Sequence, residues 1–270
     1  REEMSDLQRI TASVTRPLHH LGRAAFRFVF PPSCPMCHRD VELDERDDLG
    51  RLIAPVLCDR CSGDMLPTPS RRCLRCGLPV GPHALNDDGC PHCRSQKFRF
   101  RRVIRVGLYD DSLRTACIRA KSPTQFPLAA ALANLVWLHE RDELDAEQID
   151  LVVPVPRHWT RQLAKPHHAA ETISRVLAKR LGKPHGRGLL RKIKWTPDQS
   201  DLTAANRKLN LKDAFAVRPR PRSLAGKAVL LVDDILTTGT TANECTRALL
   251  HAGVAKVIVA VVAVVPPNSR

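Results

Sequence analysis

Two adjacent carboxylates and a threonine-rich turn follow one another in residues 233–241. Asp233 and Asp234 come first, and Thr237-Thr238-Gly239-Thr240-Thr241 follows Ile235 and Leu236. Backbone N–H groups and hydroxyls of such a turn can surround a phosphate, which the carboxylates would repel. The carboxylates suit sugar hydroxyls, or a Mg²⁺ that a sugar and a diphosphate share. The pattern predicts a phosphorylated-sugar site, and it is neither a Walker A loop nor a dinucleotide-binding G-x-G-x-x-G.

Eight cysteines form four identical Cys-x-x-Cys pairs. Tetrahedral Zn²⁺ takes four thiolates in a closed structural site, so the four pairs predict two structural zinc ions. A disulfide framework is the alternative, but the chain shows no secretory signal, and repeated Cys-x-x-Cys outside a secreted protein favours metal. Sequential pairing is favoured, while spacing alone leaves interleaved pairing open. The predicted ligands are Cys34, Cys37, Cys58 and Cys61 for one ion, and Cys73, Cys76, Cys90 and Cys93 for the other.

The elements that must position these residues are a buried strand and a helix. The continuous apolar run Ala228–Val232 is typical of a strand buried on both faces of a parallel sheet. A helical pattern resumes at Ala242 and ends at 252–253. Further strands are predicted at 103–109, 149–155 and 257–265, and helices at 113–118, 128–138 and 169–181. This alternation predicts an α/β fold with a mostly parallel sheet flanked by helices.

The net charge of +15 is concentrated in one part of the 270-residue chain. Residues 157–227 contain eighteen Lys and Arg against four Asp and Glu. Such an excess attracts polyanions, whether nucleic acid, diphosphates or anionic lipid. A helix is predicted at 5–30, ended by Pro31-Pro32. No apolar run is long enough to span a bilayer, and we expect a cytoplasmic protein.

The stretch Leu-Val-Asp-Asp-Ile-Leu-Thr-Thr-Gly-Thr-Thr at 231–241 resembles the phosphoribosyl-pyrophosphate (PRPP) signature of type I phosphoribosyltransferases. The order of cysteine pairs and then this signature, over residues 30 to 265, resembles the ComF (competence protein F-like) family. That family joins an N-terminal double zinc ribbon to a type I phosphoribosyltransferase domain. The resemblance implies an N-terminal helix at 1–32, a double zinc ribbon at 33–97 and a phosphoribosyltransferase-like domain at 98–270.

The resemblance also implies roles for individual residues. Asp233 and Asp234 would hold the ribose hydroxyls of PRPP, with magnesium, and residues 237–241 would hold its 5-phosphate. The complete set implied to bind PRPP is Asp233, Asp234, Leu236, Thr237, Thr238, Gly239, Thr240 and Thr241. Arg157, Arg161 and Lys165 are candidates for the diphosphate side, because they follow the Pro154-Val155-Pro156 strand end. No residue stands out as a general base, and the acceptor substrate stays open.

Two classes of function follow from these observations. The first is an enzyme, a phosphoribosyltransferase in which a nitrogen nucleophile displaces the diphosphate of PRPP. The second is a non-catalytic protein that binds single-stranded DNA, or a scaffold that senses PRPP. The family resemblance implies a link to DNA uptake in natural competence, with single-stranded DNA or a DNA-uptake helicase or processing protein as partner. Only 4% of the residues are aromatic, which disfavours a base-stacking platform.

Overall fold

The computed structural model describes most of the chain outside its N-terminal segment and several loops. The described residues are 31–41, 56–66, 71–81, 89–157, 168–194, 211, 213–218 and 224–267. The helix predicted at 5–30 lies outside them, as do Arg161 and Lys165. None of the helices in these ranges is both long and apolar enough to cross a membrane.

A parallel sheet forms the centre of the fold. Its strands are β1 (Arg102–Leu108), β2 (Leu151–Pro154), β5 (Ala228–Val232), β6 (Ile235–Leu236) and β7 (Lys256–Val264). They lie in the order β1-β7-β5-β2, and the short β6 pairs with the carboxyl end of β7. Every pairing in this sheet is parallel, and the strands are almost fully apolar, as expected for a sheet covered on both faces.

Helices cover both faces of this sheet. Helices α2 (Asp111–Arg119), α3 (Phe126–Ala146) and α4 (Ala169–Leu181) pack on one face, against side chains such as Ile104 and Leu230. The other face holds α5 (Thr240–His251), against alternate side chains such as Val229 and Val259. This architecture confirms the predicted fold class.

Four small elements of the described chain were not predicted from the sequence, and one of them is the two-residue β6. A short helix, α1 (Asp59–Met65), begins directly after Cys58. An antiparallel pair of three-residue strands, β3 (Leu190–Lys192) and β4 (Phe215–Val217), packs on the same face as α5. Three residues are too few to show an alternating pattern, and the partner strands are far apart in sequence, so neither strand is visible from the sequence.

The two groups of cysteines lie on opposite faces of the sheet. Met36 and Met65, beside the first group, pack into the core formed with α2 and α3. Cys73, Cys76 and the rest of the second group belong to the core on the α5 face. Val103 N of β1 donates a hydrogen bond to Leu74 O at 2.8 Å, so the second group is attached to an edge strand. The division predicted at residue 97 stays a prediction.

Candidate functional site

The aspartate pair, Asp233 and Asp234, lies between the end of β5 and the start of β6. Asp233 N donates to Ala260 O at 3.0 Å, and Asp234 O accepts from Val262 N at 3.0 Å. The backbone of the pair therefore remains hydrogen-bonded to β7 between the end of β5 and the start of β6. This places both carboxylates at the carboxyl edge of the sheet, where ligands bind in open α/β folds.

The side chains of the pair have different surroundings. Asp233 Oδ1 accepts from Asp234 N at 2.9 Å, and Asp234 Oδ1 accepts from Ile235 N at 3.0 Å. Asp234 Oδ2 faces the ammonium of Lys121, 3.4 Å away, at the turn after α2. One oxygen of each aspartate thus accepts a hydrogen bond from the next backbone N–H group. The carboxylate of Asp234 also has the ammonium of Lys121 beside it.

The electrostatics of the pair favour a cationic partner. Burial, followed by the negative charge of Asp234, raises the pKa of Asp233 well above its ordinary value. Burial lowers the pKa of Lys121, but the charges of Asp234, Tyr109 and Asp233 outweigh this, and the net result is a raised pKa. A further cation beside Asp233 would therefore favour its ionised form.

The threonine loop, residues 237–241, follows β6, and its last two residues are the first two of α5. Gly239 has φ of +73°, a left-handed conformation that glycine adopts without strain and that ends the loop tightly. The hydroxyls of Thr238 and Thr240 lie 2.9 Å apart. Thr240 N donates to Thr238 Oγ1 at 3.4 Å. The first turn of α5 contains no acidic residue, so its positive dipole favours an anion at this end of the helix.

A cavity of about 290 Å³ adjoins this loop. One wall is formed by the loop and by the end of β7, including Thr237 and Val264. The other lining residues lie between positions 76 and 98, in and just after the second group of cysteines, and include His92, Gln96 and Phe98. This stretch and the threonine loop therefore line one cavity.

The remaining predicted residues are placed as follows. Leu236 is buried under the loop, and Thr241 is half-buried in the first turn of α5. Arg157 is half-buried just beyond the end of β2, the strand that pairs with β5. The diphosphate-side role predicted for Arg157 stays a prediction, and Arg161 and Lys165 lie outside the described residues.

The cysteines form two clusters that follow the order of the sequence. The first cysteine cluster is Cys34, Cys37, Cys58 and Cys61, and the second is Cys73, Cys76, Cys90 and Cys93. Within each cluster the four Sγ atoms lie within 4.8 Å of one another. This is the sequential pairing; the first two pairs meet, and so do the last two.

The sulfur separations fit a tetrahedral metal ion. Four thiolates bonded to Zn²⁺ at about 2.3 Å are about 3.8 Å apart. The Sγ atoms are 3.6 Å apart for Cys37 and Cys58, 3.6 Å for Cys76 and Cys90, and 3.7 Å for Cys73 and Cys93. All eight cysteines are free thiols. The donor sets and their spacing therefore suit zinc and do not match a disulfide framework.

One thiol in each cluster is predisposed to ionise. Burial raises the pKa of Cys34, but backbone hydrogen bonds from Cys58 and Cys37 outweigh it and lower the value to about 7. Backbone hydrogen bonds outweigh burial at Cys73 in the same way and lower its pKa. Such thiols are the ones from which a metal most easily displaces a proton.

Sequence reasoning missed the residues that approach the site from distant segments. The contact of Lys121 with Asp234, and the approach of Phe98 to the threonine loop, join segments that are more than a hundred residues apart. For Phe98, the sequence signal was the pair of aromatic residues, Phe98 and Phe100, a few residues after the last cysteine pair. Such a pair, at the exit of a cysteine-rich module, suggests an apolar contact with the next domain.

Part of the chain matches a known family model and known structures. Residues 166–268 match the family model described as the phosphoribosyl transferase domain. Among solved structures, the chain is similar to glutamine PRPP amidotransferase from B. subtilis complexed with ADP and GMP. That match has a TM-score of 0.35 and 22% identity, and covers 51% of this chain and 27% of the other. Another is TT1426 from Thermus thermophilus, with a TM-score of 0.30, 19% identity, and coverage of 56% and 86%.

Curated relatives match over most of their length. Competence protein F of Haemophilus influenzae is 30% identical over 204 residues, which is 74% of this chain and 87% of the relative. DNA utilization protein YhgH of Salmonella typhi is 31% identical over 192 residues, 68% of this chain and 80% of that protein. YhgH of Escherichia coli K12 is 29% identical over 208 residues, with coverage of 74% and 87%. The chain, with its phosphoribosyltransferase domain behind two four-cysteine clusters, belongs to the competence protein F (ComF) family.

Proposed function

We propose that this protein binds PRPP, or a ribose 5-phosphate, together with Mg²⁺ at the aspartate pair and the threonine loop. The observation that supports this most is the juxtaposition of two carboxylates at a strand end with a left-handed glycine at a helix N-terminus. The loop and helix suit the 5-phosphate, and the carboxylates suit ribose hydroxyls. Each group of the ligand thus meets a protein group of compatible charge.

Mg²⁺ fits the donor set at this site. Carboxylate oxygens are its preferred protein ligands, and Asp233 and Asp234 place two carboxylates side by side at this strand end. Asp233 and Asp234 would hold the ion together with the ligand, and the ion would neutralise the diphosphate. The protein itself contributes loop N–H groups for the phosphate, and Arg157 lies at the end of the strand beside β5.

The test is a calorimetric titration of PRPP with and without Mg²⁺. We expect Asp233→Asn with Asp234→Asn to weaken binding by a few kcal/mol, because hydrogen bonds to charged groups contribute about 1.5–3 kcal/mol each. Asp145→Asn, an exposed residue of α3, is the matched control. A folded double variant that binds PRPP as tightly as the parent would refute the proposal. A screen for diphosphate release with nucleobases and amines then decides whether transfer occurs.

We propose that two structural zinc ions occupy the cysteine clusters. The sulfur separations and the free thiols support this assignment. A four-thiolate site has no open position, so zinc here would supply folding energy rather than chemistry. The first cluster would fix the segment before α2, and the second would fix the segment before β1.

A role with single-stranded DNA is the second candidate, supported by an exposed basic strand end. Arg191 and Lys194 are exposed at β3, and Lys192 between them is half-buried. Several relatives carry the words competence or DNA utilization in their names. Charge reversal at all three residues should weaken DNA binding and reduce the salt slope by about 0.7 per lost phosphate contact. An unchanged slope would show that this is only a solvated surface.

A further inference from the structure

Phe98 packs against Gly239, the residue of the threonine loop with a left-handed backbone. A Cβ atom at Gly239 would lie only 2.7 Å from Phe98 Cε1, so the ring is in direct contact with the loop backbone. The Phe98 ring stacks on that of Phe100, with 4.6 Å between centroids. Phe100 is itself buried, so the ring that supports the loop has a fixed base.

The next residue holds the helix that follows the loop. Arg99 N donates a hydrogen bond to Asn243 Oδ1 at 2.7 Å. Asn243 N in turn donates to Gly239 O at 2.8 Å in the first turn of α5. Phe98 and Arg99 therefore contact both the loop and the helix whose N–H groups would bind the phosphate. They act as positioning residues for that site.

The second cysteine cluster fixes the segment that carries these two residues. Arg75, between two cluster cysteines, donates from Nη2 to Phe98 O at 3.2 Å. Buried Arg105 of β1 donates from Nε to Gly77 O, directly after Cys76. The four thiols of the cluster are themselves buried. The cluster thus lies between the edge strand and the segment that presses on the loop.

The first cysteine cluster has a different position. Its segment meets α2, where Arg119 Nη1 donates to Met36 O at 2.7 Å. Its core contacts are on the opposite face of the sheet. Within the described part of the chain, the cavity beside the threonine loop is lined by Cys76 and Cys93 and by no cysteine of the first cluster. A cysteine substitution in the first cluster is therefore a matched control for a cysteine substitution in the second.

We propose that metal bound at the second cysteine cluster orders the threonine loop and so sets its affinity for a phosphate ester. A cluster of four thiols joins two separate Cys-x-x-Cys segments only while a metal is bound, because the cysteines form no disulfides. Loss of the metal releases Cys90 and Cys93 from Cys73 and Cys76. The segment that carries Phe98 and Arg99 then loses its fixed position on the loop. The choice of ligand rests on the proposed function, whereas the ordering of the loop does not.

The experiment compares Cys93→Ser with Cys37→Ser in the full zinc-loaded chain. Amide hydrogen exchange is measured on peptides that span 236–244, and ribose 5-phosphate is titrated by calorimetry. We expect Cys93→Ser to lose one metal, to raise exchange in 236–244 at least tenfold and to weaken binding at least tenfold. Cys37→Ser should also lose one metal, but should change both quantities less than threefold. Equal loop exchange in the two variants would overturn the proposal.

Phe98→Ala separates support of the loop from unfolding of the cysteine-rich segment. It keeps all eight cysteines, so both metals should stay bound while exchange in 236–244 rises. It also decides the question if Cys93→Ser fails to fold, because unchanged exchange in Phe98→Ala would overturn the proposal. If the parent chain does not bind ribose 5-phosphate but exchange changes as expected, the coupling stands and the proposed function fails.

Discussion

The ammonium of Lys121 lies 3.4 Å from Asp234 Oδ2, beside the aspartate pair. Lys121 follows α2, whereas Asp234 follows β5, so the contact joins two elements across the sheet edge. A resident ammonium lowers the repulsion between the two carboxylates. It also competes with any second cation at Asp234.

Lys121→Met should therefore increase the affinity of the chain for Mg²⁺ severalfold, since the competing charge is removed. The same change should cost about 1 kcal/mol or less in stability, because the lysine side chain is 44% exposed and screened by solvent. Calorimetric Mg²⁺ titration is the measurement, and Lys121→Arg is the control that keeps the charge. Weaker Mg²⁺ binding in Lys121→Met would contradict the expectation and assign Lys121 to ligand recruitment.

Asp233→Asn should stabilise the protein at neutral pH. The pKa of Asp233 is raised above its ordinary value of 3.8, so the folded state holds this proton more tightly than the unfolded chain. That contribution to stability is fully present below 3.8 and is lost as pH rises through the raised value. The asparagine amide does not ionise, so the variant avoids this loss of stability.

Thermal unfolding of Asp233→Asn and of the parent at pH 4 and pH 8 tests this prediction. A gain of 1 kcal/mol corresponds to about 2–4 °C in Tm for a domain of this size. We expect the gain at pH 8 and almost none at pH 4. Asp145→Asn, at an exposed carboxylate of α3, is the control substitution. A gain of equal size at both pH values would show that the cause is not titration.

Arg72→Met should destabilise the chain by about 3 kcal/mol, because it leaves a buried carboxylate uncompensated. Arg72, beside Cys73, pairs with Glu140 of α3, which is only 3% exposed. Urea unfolding measures the change. Arg141→Met is the control; Arg141 is 51% exposed, and its pair with Asp145 should contribute less than about 0.5 kcal/mol. Similar effects of the two substitutions would mean that Glu140 becomes solvated.

Metal analysis of the purified chain should return two zinc ions, and a strong chelator should lower the Tm. Cys37→Ser and Cys93→Ser should each retain one ion, since their thiols belong to different clusters. Cys245→Ser, a buried cysteine outside both clusters, should retain two. Less than one zinc per parent chain, or cysteine mapping that finds disulfides, would contradict the assignment.

The sheet and its main helices were predictable because their signals are local. The strand Ala228–Val232 and the helix Ala169–Leu181 were predicted with the bounds that the structure shows. A continuous apolar run and a 3.6-residue period each come from a single stretch of sequence. The helical span that contains the helix predicted at 128–138 is longer, Phe126–Ala146, and it is kinked at Glu140, where φ is −119° and ψ is 16°. Glu140 is buried in an ion pair with Arg72, which no hydropathy pattern reveals.

The aspartate pair and the threonine loop were also recognisable from consecutive residues. What surrounds them was not, because Lys121 and Phe98 reach the site only through tertiary packing. The cysteine spacing predicted two clusters but left the pairing open, and the structure groups them in order. That the second cluster adjoins the loop depends on which face of the sheet it packs against, which spacing does not encode.

β7 lies in the middle of the sheet, although it follows every other described strand in the chain. During synthesis, the cysteine pairs leave the ribosome before any strand of the sheet. The edges of β1 and β5 that pair with β7 have no partner strand until β7 is synthesised. The aspartate pair acquires its backbone partners at the same moment, because they belong to β7. Until β7 is synthesised, a nascent chain of this protein thus exposes open strand edges beside an aspartate pair that lacks its backbone partners, and those edges are where chaperones would act.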